Sequence, residues 1–164
     1  MSASDRGGIL LRRAGPQDRP ALIHLMGALN EFEAAIEANR ADASAAESHL
    51  DWVHDEIGRL GGVTLVAELQ GAVMGFLCYT MEDDPGTFVR PEYRRHALIW
   101  DISVAGEARG QGIGQALLQA AETEAKAAGA VEIRLYVLEV NTRARRIYEE
   151  AGYRNYERLM AKRL

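Results

Sequence analysis

The chain has 164 residues, 48% of them hydrophobic and 26% charged, a size and balance at which one domain buries a core without metals or disulfide staples. Its formal charge of −5 argues against a general nucleic-acid binder, which needs a basic face to displace counterions from phosphates. Its apolar runs fall far short of the roughly 18 residues that span a bilayer, so no membrane partner is expected.

Residues 1–8 contain no apolar stretch of signal-peptide length and read as a flexible lead-in, which leaves residues 9–164 as one domain and the cytoplasm as the expected compartment. Cys78, the single cysteine, excludes an intrachain disulfide framework and reads as a buried structural thiol among Phe76, Leu77 and Tyr79. His24, His49, His54 and His96 show no metal-ligand spacing, so no metal is expected.

Ile9-Leu10-Leu11-Arg12 reads as a first strand. Gly15, Pro16, Asp18 and Pro20 then punctuate the entry to a helix with Leu22, Leu25, Met26 and Leu29 at helical spacing. A second helix is expected to begin near Ser44, capped by that hydroxyl with Glu47 reaching back, and to stop at Gly61-Gly62; Leu50, Val53, Ile57 and Leu60 form its core stripe. Residues 63–67 and 72–79 flank Leu69-Gln70-Gly71 as an antiparallel hairpin, which Asp83-Asp84-Pro85-Gly86 ends. Residues 97–104 form the next strand and lead through Arg109-Gly110-Gln111-Gly112-Ile113-Gly114 into a helix from about 113 to 128. Residues 131–137 follow as a strand, and this strand–helix–strand order is the right-handed crossover that sets two strands parallel. Asn141-Thr142 can cap a last helix over 143–151, with Gly152 as its stop, and residues 153–164 supply one or two closing strands. The elements add up to an α+β fold on a mixed sheet.

Glycines at 110, 112 and 114 leave backbone N–H groups open to an anion, while the helix starting there contributes the positive end of its dipole. That is a phosphate or pyrophosphate site. The turn lacks the Gly-Lys-Ser/Thr ending of a nucleotide P-loop, and it follows an antiparallel hairpin instead of opening the chain as a dinucleotide fold does.

The run from Val104 to Gly114 resembles the cofactor-binding signature of the GNAT superfamily of acetyl-coenzyme A dependent N-acetyltransferases, Gln/Arg-x-x-Gly-x-Gly/Ala after a strand. The family's usual proline after the bulge is Gly106 here. Downstream, Asn141, Ala144, Tyr148, Gly152 and Tyr153 are similar to its second signature. The motif match covers about residues 98–153, and the element order covers 9–164. The resemblance implies a mixed, mostly antiparallel twisted sheet of six or seven strands, about four helices and a splayed parallel strand pair.

The same resemblance implies acetyl-coenzyme A as co-substrate. Its pantetheine arm would enter as a pseudo-strand along Ile102, Ser103 and Val104, and Arg109, Gly110, Gln111, Gly112, Ile113 and Gly114 would hold the pyrophosphate. Asn141 and Tyr148 would lie beside the arm, although Asn141 also reads as a helix cap and Tyr148 as core packing. Tyr148 would protonate the departing thiolate as general acid. An alkylamine with a pKa near 10.4 is neutral only about one part in 2,500 at pH 7, so a base or a desolvating pocket is required. Asp101 occupies a strand position where some diamine acetyltransferases of the family carry an acid, and Glu82, Asp83 and Glu139 end strands near the expected mouth.

The acceptor pocket is expected from residues 31–42, the loop near Asp83 and residues 88–96. Glu31, Glu33, Glu37 and Asp42 are either a solvated face or an attraction for a polyamine, aminoglycoside or peptide amine. The expected activity is acetyl transfer to a primary amine of a small molecule or peptide, with a homodimer as a family-level expectation. The alternatives are a non-catalytic acetyl-coenzyme A binding module and an acyltransferase with another acyl group or acceptor.

Overall fold

In the computed structural model, which describes residues 4–6 and 8–164, Ile9 and Leu11 are buried while Leu10 and Arg12 are only partly so, the period-two pattern of a half-buried strand (β2, Ile9–Arg13). Ser4–Arg6 form a further strand, β1, antiparallel to β2 with Ser4 opposite Leu11. Part of the expected flexible lead-in is therefore an edge strand, because β2 leaves a free row of backbone groups beside it. The rest of that lead-in, residues 1–3 and 7, lies outside the described residues.

Helix α1 (Arg19–Ile36) buries Leu22, Leu25 and Met26, the stripe read from its spacing, and adds the polar Asn30. Helix α2 (Ala46–Arg59) buries Leu50, Val53 and Ile57, while Leu60 is 37% exposed at its end. Its start differs from the expected Ser44 cap. A 3-10 turn over Ala43–Ala45 precedes it, Asp42 accepts from the Ser44 amide and hydroxyl, and Glu47 pairs with Arg19 at 2.9 Å instead of reaching back. Asp42, two residues earlier, offers two charged acceptor oxygens where Ser44 offers one hydroxyl.

Strands β3 (Val63–Leu69) and β4 (Ala72–Asp83) form the expected hairpin, turning through Gln70 and Gly71, both at positive φ (53° and 81°), as a two-residue primed turn requires. β4 pairs antiparallel with β5 (Arg95–Val104), and β5 pairs parallel with the short β6 (Glu132–Leu135) after the crossover through α3 (Ile113–Ala127). Among the described residues the result is one six-stranded sheet in sequence order, mixed and mostly antiparallel.

Adjacent strand residues face opposite sides, and the last two of β5 show which helix covers each side. Ser103 Oγ donates to the Leu25 carbonyl of α1, while a side chain at Gly114 in α3 would meet Val104. A Cβ at Gly75 would press on Ile113 and the Ser103 carbonyl, at 2.9 and 3.1 Å, so α3 seats closely on β4 only with glycine there. Phe76, Leu77, Leu65 and Leu117, each wholly buried, fill the core between these layers.

Helix α4 (Thr142–Glu150) follows β6. Residues 154–164 form no strand, against the expected one or two. Their apolar residues Tyr156, Leu159, Met160 and Leu164 do not alternate with period two, and all four are exposed. The segment is tied at its start, where the Tyr153 hydroxyl donates to Glu122 and the Arg134 guanidinium lies 4.8 Å over the Tyr156 ring. Among the described residues no helix is long and apolar enough to cross a membrane.

Candidate active site

The parallel pairing runs only from His96 opposite Glu132 to Ile99 opposite Leu135. Beyond it β5 continues to Val104 on β4, whereas Tyr136 and Val137, expected as strand, leave the ladder. The two strands thus part at their C-terminal ends and expose a row of β5 backbone groups that would be costly if buried unpaired. A cleft of about 390 Å³ opens there.

Ile102, Ser103, Val104, Arg109, Gly110, Gly112, Ile113, Gly114, Asn141, Asp101 and Tyr148 all line it; Gln111 alone of the residues expected to bind the cofactor does not. The Gln111 side chain instead donates to the Glu107 carbonyl at 3.2 Å. Gly110 and Gly112 sit at φ 79° and 82°, and a Cβ on either would meet nothing within 4 Å. The backbone there needs glycine for its dihedral, and open space lies before it. Gly112 caps α3 without a side chain, so the first-turn N–H groups of that helix have no side-chain acceptor. Open amides, a helix dipole and a splayed strand edge fit a pyrophosphate joined to an amide-bearing arm.

Asn141 caps α4, its Oδ1 accepting from the Ala144 amide at 3.0 Å, and borders the cleft as well. Tyr148 stands two turns along the same helix with its ring 5.8 Å from Tyr153. Burial pushes the Tyr148 hydroxyl up to about 12, with the negative charges of Glu33 and Asp101 adding to the effect. The group therefore holds its proton at neutral pH.

A bulge places the acid. Between β4 and β5 the register jumps at Cys78 and Tyr79, so Cys78 faces Asp101, Tyr79 faces Ile99, and Trp100 is the unpaired extra residue. Trp100 and Asp101, which strict alternation would send to opposite faces, both turn toward α1 and α2. Trp100 Nε1 donates to Thr80 Oγ1 at 2.9 Å, and its ring lies 5.7 Å from Trp52 of α2. Asp101 shares the face of Ser103, which bonds α1. Burial raises its carboxyl, Glu33 adds to this, and the positive charges of His49 and Arg40 oppose it.

Glu33 lines the cleft beside Asp101, with Arg40 3.7 Å from its carboxylate. Glu31 and Glu37 do not line it. Glu82, Asp83, Glu139 and residues 88–96 are also absent from the lining. The antiparallel register sets Asp83 opposite Arg95, at the start of β5, while the cleft opens at its other end. Glu139 pairs with Arg145 at 2.9 Å. Phe32, Trp100 and Tyr136 line the cleft without having been singled out in the sequence, since an aromatic at helical or strand spacing reads as core. Cys78 is wholly buried against Thr64, its thiol raised to about 12 by burial, as a structural cysteine should be.

Comparison with known proteins bears on this geometry. The family model described as the acetyltransferase (GNAT) family matches residues 27–153. The chain is 31% identical over 116 residues to a protein of Nocardia farcinica named L-2,4-diaminobutyric acid acetyltransferase, a stretch that is 71% of this chain and 50% of that one. The chain thus spans about half the length of this relative. Among solved structures, a mutant of the BH1408 protein from Bacillus halodurans superposes with a TM-score of 0.81 at 21% identity, over 94% of this chain and 98% of that one. An acetyltransferase of Trypanosoma brucei superposes with a TM-score of 0.68 at 25% identity, over 95% and 99%. With the signature glycines at the head of α3 and the family match spanning most of the sequence, the chain belongs to the GNAT acetyltransferase family.

Proposed function

We propose that this protein transfers the acetyl group of acetyl-coenzyme A directly to a primary amine of a small molecule or peptide, with Tyr148 as general acid and Asp101 as base. The observation that carries the reading is the convergence of Tyr148, Asp101 and Glu33 on one cleft whose other end is the open-amide turn of Gly110 and Gly112. When bound, acetyl-coenzyme A supplies an activated acyl group. Ile102, Ser103 and Val104 would orient its arm, and Gly110 to Gly114 its pyrophosphate.

The chain's own part is proton management. Asp101, desolvated but open to the cleft, takes a proton from the incoming ammonium and supplies the free amine that is scarce in water. Tyr148 Oη gives its proton to the departing sulfur, a role for which a hydroxyl protonated at pH 7 is suited. The carboxylates of Glu33 and Asp101 favour a cationic acceptor, in keeping with the diamino acid in the name of the Nocardia relative.

Release of free thiol from acetyl-coenzyme A with a panel of amines, diamino acids included, tests the reading. Turnover with one of them is expected, and silence with all would favour a binding module. Tyr148→Phe should lower kcat by about 10²-fold or more with acetyl-coenzyme A binding retained. Full turnover in that variant, where chemistry limits the rate, removes Tyr148 from the acid role.

A further inference from the structure

The bulge in β5 brings an indole to the side of the sheet on which Asp101 stands. Thr80 lies two residues from Cys78, which is opposite Asp101, so Thr80 shares that face. Trp100 Nε1 donates to Thr80 Oγ1 at 2.9 Å, and the wholly buried Thr80 hydroxyl gives its own proton to Glu82 at 2.6 Å. Trp52 of α2, which does not itself line the cleft, packs against the Trp100 ring with centroids 5.7 Å apart and planes inclined at 59°. A hydrogen bond and a ring contact therefore hold the indole from two directions.

Trp100 and Asp101 line the cleft from β5, and Ala28, Leu29, Phe32 and Glu33 line it from α1. Those four α1 residues fall at three- and four-residue spacings, which makes them one helix face, apolar with a carboxylate at its edge. This end of the cleft thus sets two carboxylates in an apolar wall. The indole has a single hydrogen-bonding atom, Nε1, and Thr80 already occupies it. What the ring can offer a ligand is carbon and π surface. Such a surface attracts an ammonium and its methylenes, but a hydroxyl desolvated against it is left unpaired.

We propose that Trp100 determines acceptor specificity, selecting a primary amine carried on a bare hydrocarbon stem over an amino sugar or another hydroxylated amine. The proposal rests on the reading of this cleft as the acceptor site of an amine acetyltransferase. The ammonium lies among Asp101 and Glu33, and its methylenes run against Trp100 and Phe32, where each one leaves water for apolar surface. Thr80 is a positioning residue, because its hydroxyl keeps the indole N–H away from the acceptor.

Across straight-chain primary amines from ethylamine to hexylamine, kcat/KM should rise about two- to fourfold for each added methylene, and glucosamine should fall at least about tenfold below hexylamine. Trp100→Ala should flatten the series and close the gap to glucosamine with the KM for acetyl-coenzyme A unchanged, whereas Trp100→Phe should keep most of both. A series as steep in Trp100→Ala as in the parent chain, or a parent chain that uses glucosamine as well as hexylamine, overturns the proposal. Thr80→Val frees the indole N–H and should narrow the gap, while Thr80→Ser should preserve it; equal gaps in the two variants overturn the positioning role. A second measurement leaves Trp100 in place. The chain has two tryptophans, so Trp52→Phe makes Trp100 the sole indole. With coenzyme A bound to that variant, hexylamine should shift the indole emission and glucosamine should not, and an emission that hexylamine leaves unmoved also overturns the proposal. Turnover with a flat amine series defeats the specificity role alone, whereas absence of turnover with every amine defeats the acetyl-transfer reading on which it rests.

Discussion

The two edges of β5 differ in kind. Toward β4 the ladder runs to Val104 broken only by the bulge at Trp100; Leu77 and Leu117 are sealed between the sheet and α3, and Phe76 is sealed on the opposite face. Toward β6 the pairing stops at Ile99, β6 itself is only half-buried, α4 buries none of its residues, and Tyr136 and Ile147 are 87% and 45% exposed. One side of the strand is finished by the chain, and the other opens into the cleft. The contrast teaches that fold stability and site chemistry are drawn from different sides of a single strand, so they should respond separately to mutation.

The largest expected effect on stability lies on the closed side. Phe76→Ala should cost about 3–5 kcal/mol in chemical denaturation, since its ring is wholly buried between sheet and helix. A small loss would mean that α1, which covers the Ser103 face, collapses onto the gap. On the open side, acetyl-coenzyme A at about 100 times its Kd should stabilise by about 2.7 kcal/mol. Hydrogen exchange should slow chiefly at residues 100–104 and at the head of α3, and protection spread evenly over β2–β4 would contradict the contrast. Gly112→Ala should cost about 1–2 kcal/mol at its left-handed φ, read as roughly tenfold weaker acetyl-coenzyme A binding in calorimetry with the acceptor KM little changed.

The smallest effect is the most diagnostic. Asp101 is held protonated more tightly when folded than when unfolded, so its burial favours folding below the ordinary carboxylate range near pH 4 and opposes it as pH rises through the raised value. Asp101→Asn should therefore raise the thermal midpoint at pH 7, and the gain should vanish by about pH 3. A gain that persists in acid would place its cause outside that ionisation.

Several parts of this molecule were legible because their chemistry is local. The hairpin turn at Gln70-Gly71, the stops at Gly61 and Gly152, and the cap at Asn141 each follow from what a few consecutive residues allow their own backbone to do. The crossover from β5 through α3 to β6 followed from element order and handedness. Where local signals competed, the reading slipped. Ser44 looked like a cap until Asp42 took its amide, and the tail after Tyr153 carries apolar residues but not the alternation that a strand needs.

By itself, then, the sequence determined the glycine turn at the head of α3, the positions of Asn141 and Tyr148 one helix later, and the mixed sheet that orders them, because backbone dihedrals and hydrogen-bond donors are written residue by residue. Tertiary structure alone decided the acceptor side. The bulge at Trp100 that turns Asp101 toward the helices is a mismatch between two strands, and it has no counterpart in either strand alone. Glu33 comes to line the cleft with Asp101 only when α1 packs over that bulge, and Asp83 stands away from it because antiparallel register carries it to the far end of β5. Contacts made across such sequence separations are set by packing, which no local pattern encodes.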